Sequence, residues 1–440
     1  MRGHISVRRR RYLKGAIGTG AFVGGVLATA CSTGAERRLA PGGAPATLSR
    51  QPVTLRLNYR TERWIPERAR EFSEAYPWVS VEPIPNSGYE KLLVLVAAGE
   101  MGDLVWDSVG VGAYYQLGSQ GHFKVLDALV GRDKFDLKQY YSAAIETARL
   151  EGKLLGLPST THPSHLGLFY NVNLFAEAGV KPPAMNWTFD DLLDAARRLT
   201  RPGERWGIET ETAYPPTLVW LRTFGGEFLD PPTFGTRPAI DRPAARQALQ
   251  FLYDLRHRYR VHPLPSDKAT FTGGAVAMRQ SLMSNYLGFP RQAGDRFKVD
   301  AVLIPRGPGG RRGSQRHVGL FEMNARTRHP DEAWELHKWL TNKESALRQA
   351  RLDSGIPGAR PDAWNEPEFA NQPMFRVFKD FMDRETVGPV AVPANFRMPE
   401  IQQLTEKLFE PLWSGEQGVE QVIVAAMGPY QALLDRPRLQ

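Results

Sequence analysis

The stretch between residues 152 and 200 restricts the possible folds of this chain more than any other. Residues 166–170 form an apolar run of strand length that can be buried on both faces. A short helix follows and ends at Gly179, in a position that tolerates left-handed backbone. Thr188 then caps an amphipathic helix with acids in its first turn and arginines in its last. The stretch predicts a buried strand and two helices, and the second helix should turn one face inward: Phe189, Leu192, Leu193, Ala196 and Leu199.

Strands and helices alternate along residues 53–107. The pattern predicts strands at 53–59, 79–84 and 103–107, separated by helices at 67–76 and 89–98. Such a βαβαβ succession is typical of a mostly parallel sheet with helices on both faces. Ligands of these sheets bind beyond the carboxyl ends of the strands. Here those ends lie near residues 60–64, 85–89 and 107–114.

Several short motifs follow one another in an order that resembles a large bacterial family. They are GKLLGLP, LFYNVNLFAEAGV and DDLLDAARRLT in the first stretch, then FTGGAVAM at residues 271–278 and DSGIPGAR at residues 353–360. Their order and spacing resemble the extracellular solute-binding proteins of ABC importers, in the subfamily that binds sugars and related solutes. AAGEMGDLVWDS also resembles a family pattern, except that Gly102 stands where proline is usual. The resemblance covers roughly residues 52–435.

The resemblance implies an α/β fold of the periplasmic-binding-protein type, with two discontinuous lobes joined by a hinge. Each lobe would be a mostly parallel sheet flanked by helices, and 440 residues are also too many for one ordinary core. Residues 52–160 and 322–356 would form the first lobe, and residues 161–321 and 357–440 the second. Crossings between the lobes are expected near residues 161–170, 318–324 and 355–360.

The amino-terminal segment holds most of the basic excess of the chain. The formal charge is +9, and residues 1–30 contain six basic residues and no acidic one. Without them, 50 lysines and arginines face 47 acidic residues, which argues against a nucleic-acid partner. Residues 15–30 are weakly apolar and too short to span a bilayer comfortably, so residues 1–30 indicate a signal peptide. Within it, RRRYLK resembles a twin-arginine export signal, and a general secretory signal is the alternative.

Cys31 is the only cysteine of the chain. It follows the small residues Leu27-Ala28-Thr29-Ala30, an arrangement that resembles a bacterial lipobox with its leucine one position further away than usual. The resemblance implies a diacylated cysteine that anchors the protein on the outer face of the cytoplasmic membrane. Cleavage after Ala30 with an incidental thiol is the alternative. Residues 31–51 would then be a flexible tether.

Motifs for catalysis and metal binding are scarce. The sequence has neither a phosphate-binding G-x-x-x-x-G-K-[ST] loop nor a G-x-S-x-G elbow. His162 and His165 stand close together, but no third metal ligand follows at a recognisable spacing. Asp107 with a second carboxylate could form a glycosidase pair, yet an aspartate at a strand end binds sugar hydroxyls equally well. We therefore expect neither a metal nor a cofactor.

Two classes of function fit these observations. The first is a lipid-anchored, monomeric receptor that captures a sugar or similar polar solute by hinge closure and delivers it to the permease subunits of an ABC importer. The second is an extracytoplasmic enzyme that acts on carbohydrate in the same cleft. A sensory binding module without transport is a further alternative that the sequence does not separate. Recovery of bound sugar intact would favour the first class, which the resemblance also favours.

The candidate ligand-binding residues follow from the chemistry of sugars. A sugar presents apolar ring faces and a rim of hydroxyl groups, so its site needs flat aromatic surfaces and polar groups. Residues just beyond strand ends, and residues that the resemblance places at the cleft, supply both: Trp64, Asp107, Tyr114, Thr161, His162, Trp220, Asn285, Tyr286 and Arg397. Core packing is the alternative for each aromatic residue, and it is the expectation for Trp106, Trp334 and Trp339.

Overall fold

A computed structural model gives the architecture of the chain. It describes residue 48 and residues 50–438, apart from residues 87, 110–111, 314 and 385–393. The predicted signal peptide and Cys31 lie outside the described residues, as does most of the predicted tether. No helix in the described part of the chain is long and apolar enough to cross a bilayer.

The described residues contain thirteen strands and seventeen α-helices. The strands are β1 (Val53–Tyr59), β2 (Val79–Pro85), β3 (Leu104–Val109), β4 (Arg149–Leu150), β5 (Lys153–Leu154), β6 (Gly156–Ser164), β7 (Gly167–Asn171), β8 (Trp206–Glu209), β9 (Leu229–Asp230), β10 (Arg237–Pro238), β11 (Val276–Ser281), β12 (Val299–Leu303) and β13 (Gln315–Met323). The helices are α1 (Trp64–Ala75), α2 (Tyr89–Ala97), α3 (Tyr114–Ser119), α4 (Asp127–Asp133), α5 (Ser142–Thr147), α6 (Val172–Glu177), α7 (Phe189–Leu199), α8 (Tyr214–Phe224), α9 (Pro243–His257), α10 (Asn285–Ala293), α11 (Pro330–Leu340), α12 (Lys343–Gln349), α13 (Pro361–Trp364), α14 (Pro367–Ala370), α15 (Pro373–Arg384), α16 (Met398–Ser414) and α17 (Val419–Leu434). Two 3₁₀ turns and one π-helical turn complete the regular structure: Leu137–Gln139, Pro265–Asp267 and Ala350–Ser354.

The first sheet of the described chain has five strands in the order β2-β1-β3-β13-β6. β1 pairs in parallel with β2 and with β3, as the βαβαβ pattern predicts. β13 pairs antiparallel with both β3 and β6. Only β13 therefore runs against the common direction of the sheet, which confirms the mostly parallel arrangement.

The second sheet of the described chain has four strands in the order β12-β7-β11-β8. β11 and β8 are parallel, whereas β7 pairs antiparallel with β11 and β12. β7 is thus the single reversed strand here, as β13 is in the first sheet. In each sheet the reversed strand is the one that the chain enters directly from the other sheet.

Two passages join the sheets, one of two residues and one longer with a turn at residues 307–310. His165 and Leu166 join β6 to β7, and residues 304–314 join β12 to β13. His165 has a φ of +56°, in the left-handed region that non-glycine residues rarely occupy. The first sheet includes the whole of β6 and β13, which extend across the lobe boundaries expected at residues 160 and 322. The exact division into lobes stays a prediction.

Local chemistry explains the helices around the second sheet. The Thr188 hydroxyl accepts a hydrogen bond from the Asp191 N–H at 3.2 Å, and the Asp191 carboxylate accepts one from the Thr188 N–H at 2.8 Å. This capping box fixes the start of α7, whose buried residues are Leu192, Ala195, Ala196 and Leu199. α8 ends at Gly225, which has a φ of +90°.

The carboxyl-terminal helices pack on two helices that follow β8 in the chain. α16 and α17 pack against α8 and α9 around one apolar cluster that includes Leu249, Phe409 and Ile423. The tryptophans expected in the core agree with this packing: Trp106 and Trp334 are buried, and Trp339 is partly buried beneath the Arg68 guanidinium.

Candidate functional site

Polar side chains meet at the edge of the first sheet where the chain passes to the second. Val109, the last residue of β3, lies opposite Val318 of β13. Residues 315–317 therefore extend beyond the end of β3, and there they pair with residues 162–164 of β6. We call this extension, with Asp107 and Ser108 at the end of β3, the crossing edge. It is the part of the first sheet from which both passages to the second sheet begin.

Asp107 is a buried acceptor at the crossing edge. It is 4% exposed; its Oδ1 accepts a hydrogen bond from the Ser108 N–H at 2.7 Å, while Oδ2 has no hydrogen-bond partner among the described residues. Burial raises the pKa of this carboxyl to about 6, although the charge of Arg60 favours ionisation. A Cβ placed on Gly112 would lie 2.0 Å from Oδ1, so the following loop can approach the carboxylate only with glycine. The free oxygen suits a hydroxyl group of a ligand.

Two histidines form a stacked pair at the same edge. His162 and His317 are direct partners in the β6–β13 ladder, and their ring centroids are 4.9 Å apart. The Ser108 hydroxyl lies 3.5 Å from His317 Nδ1. Burial lowers the pKa of His162 to about 4, so its imidazole is neutral at neutral pH. A neutral imidazole pair offers both a donor and an acceptor to a polar ligand.

Glu211 connects the crossing edge to the second sheet. His165 Nδ1 lies 2.8 Å from the Ser164 hydroxyl, and its Nε2 lies 3.3 Å from Glu211 Oε2. The Ser281 hydroxyl donates to Glu211 Oε1 at 2.7 Å, and Arg279 does so at 3.1 Å. Burial opposes the charge of Glu211, but these hydrogen bonds and charges outweigh it and hold its pKa at about 2. The carboxylate therefore stays ionised. It links β11 of the second sheet to His165, which follows β6 of the first sheet.

A cavity of about 1230 Å³ adjoins this carboxylate. Its walls are the last residue of β8 with residues 210–213, residues 262–265 and 268–270, and the exposed side of α16, and Glu211 itself lines it. Trp413 of α16 is partly buried against the apolar cluster and also lines the cavity, with the Arg256 guanidinium 5.0 Å from the ring centroid. Gln403, also in the wall, donates to the Tyr89 hydroxyl of α2 at 2.7 Å. The cavity therefore adjoins the contact between α16 and α2, the helix that connects β2 to β3 of the first sheet.

Two buried side chains fix the strand end that carries Glu211. The Thr210 N–H donates to His262 Nε2 at 2.9 Å. Arg256 donates to both the carbonyl and the hydroxyl oxygen of Thr210, each at 2.9 Å. Burial lowers the pKa of His262 well below its usual range, which keeps the imidazole a neutral acceptor. The cavity wall is therefore rigid at this point.

Buried polar atoms without a hydrogen-bond partner collect at the crossing edge. Among the described residues they include Asp107 Oδ2, Thr161 Oγ1, Gln315 Oε1 and Arg316 Nη1. Each such atom costs about 1–3 kcal/mol of stability, and a charged one costs more. A polar ligand that reached this edge would satisfy them, so the cost is recovered on binding.

The structure brings several of the predicted residues to one place. Asp107, Thr161 and His162 lie together at the crossing edge. Asn285 donates to the Ser281 hydroxyl at 3.0 Å, and that serine binds Glu211. Tyr286 is partly buried and meets the Phe375 ring edge to face at 5.5 Å.

The other predicted residues are engaged within the protein. Trp64 and Trp220 have no exposed surface, and Trp220 donates to the Gln280 side chain at 2.8 Å. Tyr114 is 1% exposed and donates to the Ala148 carbonyl at 2.7 Å. Arg397 forms an ion pair with Glu400 at 2.6 Å. Their roles as ligand contacts stay predictions.

Sequence reasoning missed four residues of the site: Glu211, Arg316, His317 and Trp413. Glu211 comes two residues after β8, so the strand-end rule that found Asp107 would also have found it. Arg316 and His317 come just before the second crossing expected at residues 318–324, and nothing in the sequence shows which strand they oppose. Trp413 reaches the cavity through helix packing, for which the local sequence carries no signal. No cluster of three metal-ligating side chains occurs among the residues that the structure describes.

The chain passes between the two sheets at a polar edge, and this arrangement defines an α/β protein of the solute-binding type. A family model described as bacterial extracellular solute-binding protein matches residues 60–347, more than half of the chain. The chain belongs to this family.

Known proteins resemble this chain over most of its length. A binding protein from Brucella abortus is 24% identical over 363 residues, which are 79% of this chain and 83% of the relative. Among solved structures, an ABC substrate-binding protein from Listeria monocytogenes in complex with cycloalternan has a TM-score of 0.75 at 18% identity, over 88% of this chain and 100% of that one. The GacH receptor of Streptomyces glaucescens, described unliganded and with acarbose, has a TM-score of 0.74 at 19% identity over the same shares. UgpB from Mycobacterium tuberculosis with glycerophosphocholine has a TM-score of 0.73 at 17% identity, over 87% of this chain and 98% of that one. At these identities the structures establish the fold.

Proposed function

We propose that this protein is the receptor of an ABC importer and that it captures a sugar or a related polar solute. The observation that carries the proposal is the row of partnerless buried polar atoms at the crossing edge. They lie at the edge where ligands of such sheets bind, and His165, which follows this edge in the chain, pairs with Glu211 in the wall of the cavity of about 1230 Å³. A cavity of that size accommodates more than one sugar ring.

Proteins of the same fold support a carbohydrate solute. Their titles name cycloalternan and acarbose, both carbohydrates, and in one case glycerophosphocholine, a phosphodiester. These ligands share many hydroxyl or ester oxygens, which suits a site built of carboxylate, hydroxyl, amide and imidazole groups.

Each site residue has a distinct part in the proposed binding. The free oxygen of Asp107 accepts hydrogen bonds from two neighbouring hydroxyls of the solute or from one alone. The neutral His162–His317 pair completes the polar wall. Trp413 supplies the flat apolar surface against which a sugar ring stacks, with Arg256 behind it.

Binding proceeds by hinge closure in this proposal. The passages at residues 165–166 and 304–314 are short, so small changes in their backbone angles move one sheet relative to the other. A solute that contacts both Asp107 and Trp413 stabilises the closed form by its differential affinity for that form. The closed receptor then delivers the solute to permease subunits.

Membrane attachment is the second half of the proposal. The basic leader, the apolar residues 15–30 and Cys31 support export followed by acylation of Cys31. The anchored protein would act as a monomer on the outer face of the cytoplasmic membrane. Residues 31–51 would give it the reach to find its permease.

A solute screen with two readouts tests the receptor function. Neutral mono- and oligosaccharides, sugar acids and glycerophosphodiesters are added to the mature protein, and melting temperature and small-angle scattering are measured. A true solute at about 100 times its Kd should add about 2.7 kcal/mol of stability and reduce the radius of gyration. It should also be recovered chemically intact. Turnover of the solute would identify an enzyme instead, and an unchanged radius at saturation would rule out hinge closure.

A further inference from the structure

Arg316 is an exception among the buried arginines. Eight arginines of the described chain are buried, and five form ion pairs with a carboxylate: Arg68, Arg132, Arg205, Arg222 and Arg397. Arg312 donates to the carbonyls of Ile304 and Met185, and Arg256 donates to Leu252 and Thr210. Arg316 is 6% exposed, and in the described part of the chain it has no carboxylate partner and its Nη1 makes no hydrogen bond.

The position of Arg316 places this charge at the crossing edge. It lies opposite Pro163 in the β6–β13 ladder, between the pairs His317–His162 and Gln315–Ser164. Its positive charge opposes protonation of His162 and favours ionisation of the Tyr141 hydroxyl. Asp383, the acid next to Tyr141, is already paired with Lys379 at 2.5 Å. No carboxylate in the described part of the chain therefore pairs with the Arg316 guanidinium.

An unpaired buried charge is among the most costly features a fold can hold. A guanidinium stays protonated under all physiological conditions, so it cannot escape the cost by losing its proton. Acceptor oxygens without partners lie at the same edge, on Thr161, Gln315 and Asp107. An anion on a hydroxyl-bearing solute would satisfy the guanidinium and each of these oxygens that the hydroxyls reach.

We propose that the solute of this protein carries an acidic group, a carboxylate or a phosphate, and that Arg316 binds it while the neighbouring oxygens bind its hydroxyls. The inference rests on the proposed receptor function and narrows its solute class from sugars in general to acidic sugars and polyol phosphates. Planar guanidinium groups bind both anions through paired hydrogen bonds, so Arg316 alone does not choose between them.

The test compares Arg316→Met with Arg222→Met. Arg222 is equally buried but is paired with Glu227 at 2.6 Å, so it serves as the matched control. Melting temperatures and Kd values are measured with D-glucose, D-glucuronate and D-glucose 6-phosphate at equal ionic strength. Wild type should respond to glucuronate or to glucose 6-phosphate more strongly than to glucose, and the responding anion identifies the group. Arg316→Met should weaken that binding by about ten- to a hundredfold, since charged hydrogen bonds are lost.

The solute-free proteins give an independent readout. Arg316→Met should melt no lower than the wild type, because it removes an unpaired charge, whereas Arg222→Met should melt lower by several degrees. A loss of stability in Arg316→Met as large as that in Arg222→Met would make Arg316 a structural residue and overturn the proposal. So would a variant that keeps the full response to the anion, or a wild type that prefers neutral sugars. A preference for neutral sugars would leave the proposed receptor function intact. If no solute of the wider screen bound, the receptor function and the acidic solute would both be refuted.

Discussion

His162 and His317 face each other across the β6–β13 ladder with their ring planes inclined by 27°. Burial lowers the pKa of both, and each also feels an arginine, Arg316 for His162 and Arg60 for His317. A proton on either ring would therefore add a charge to a site that already holds two buried or half-buried guanidinium groups. The pair is stable only while both rings are neutral, which makes the crossing edge sensitive to acid.

Acid should destabilise the protein through His162. Its pKa in the fold is about 4, below the ordinary 6.5, so the unfolded chain binds more protons between these values. The stabilising contribution is complete above pH 6.5 and is lost as pH falls towards 4. A shift of this size corresponds to about 3 kcal/mol. Urea unfolding at pH 7 and pH 4.5 should show a smaller loss for His162→Asn than for the wild type, while His329→Asn, outside the pair, should behave as the wild type. Equal losses in all three proteins would contradict this assignment.

Asp107 should have the opposite effect on how the stability of the protein depends on pH. Its pKa in the fold is about 6, above the ordinary 3.8, so folding is penalised above pH 6 and the penalty fades as pH falls towards 3.8. Asp107→Asn should be about 1–3 kcal/mol more stable than the wild type at pH 8, with the gain gone near pH 4. It should also bind solute about tenfold more weakly, because it loses a charged acceptor. Unfolding curves at both pH values and calorimetric titration measure the two effects; a less stable variant at pH 8 would show that Asp107 serves the fold.

Trp413 and Trp220 should separate binding from packing. Trp413 lines the cavity and is only partly buried, so Trp413→Ala should weaken solute binding by about 1–3 kcal/mol and cost less stability than Trp220→Ala. Trp220 has no exposed surface, so Trp220→Ala should cost about 3–5 kcal/mol of folding stability. Melting temperature and Kd are measured for both variants. A Trp413→Ala protein with wild-type affinity would remove this residue from the site.

Cys31→Ser tests the anchor. Firm attachment needs more than one acyl chain, so loss of the modified cysteine should move the protein from the membrane fraction to the soluble extracytoplasmic fraction. Fractionation followed by immunoblotting, with mass spectrometry of the mature amino terminus, gives the answer. A Ser variant that stays on membranes after its leader has been removed would refute acylation as the anchor.

Local patterns predicted the elements of the fold well. The capped helix after Thr188 has the expected position, because caps and apolar periodicity are set by neighbouring residues. The strand expected at 166–170 is β7 (Gly167–Asn171). The strand-end rule likewise found Asp107.

Long-range pairing could not be predicted from the sequence. His317 meets His162 through the register of two strands that lie far apart in the chain, and no local pattern encodes register between distant strands. Trp64 illustrates a second limit: it follows a strand end as expected, yet it turns inward against the Phe321 ring at 6.0 Å. Packing decides that direction. The local sequence around an aromatic residue near a strand end looks the same whether its ring turns into the core or towards the ligand site.

The position of β13 has a consequence for how this chain is made. β13 separates β3 from β6, yet it is synthesised after the whole second sheet. Until it emerges from the ribosome, β3 and β6 each present an open edge, and open strand edges pair readily with other chains. A fragment that stops before Gln315 should therefore aggregate rather than fold. Folding of the first sheet must wait until about three quarters of the chain has been synthesised, and an export route that accepts only folded cargo must wait with it.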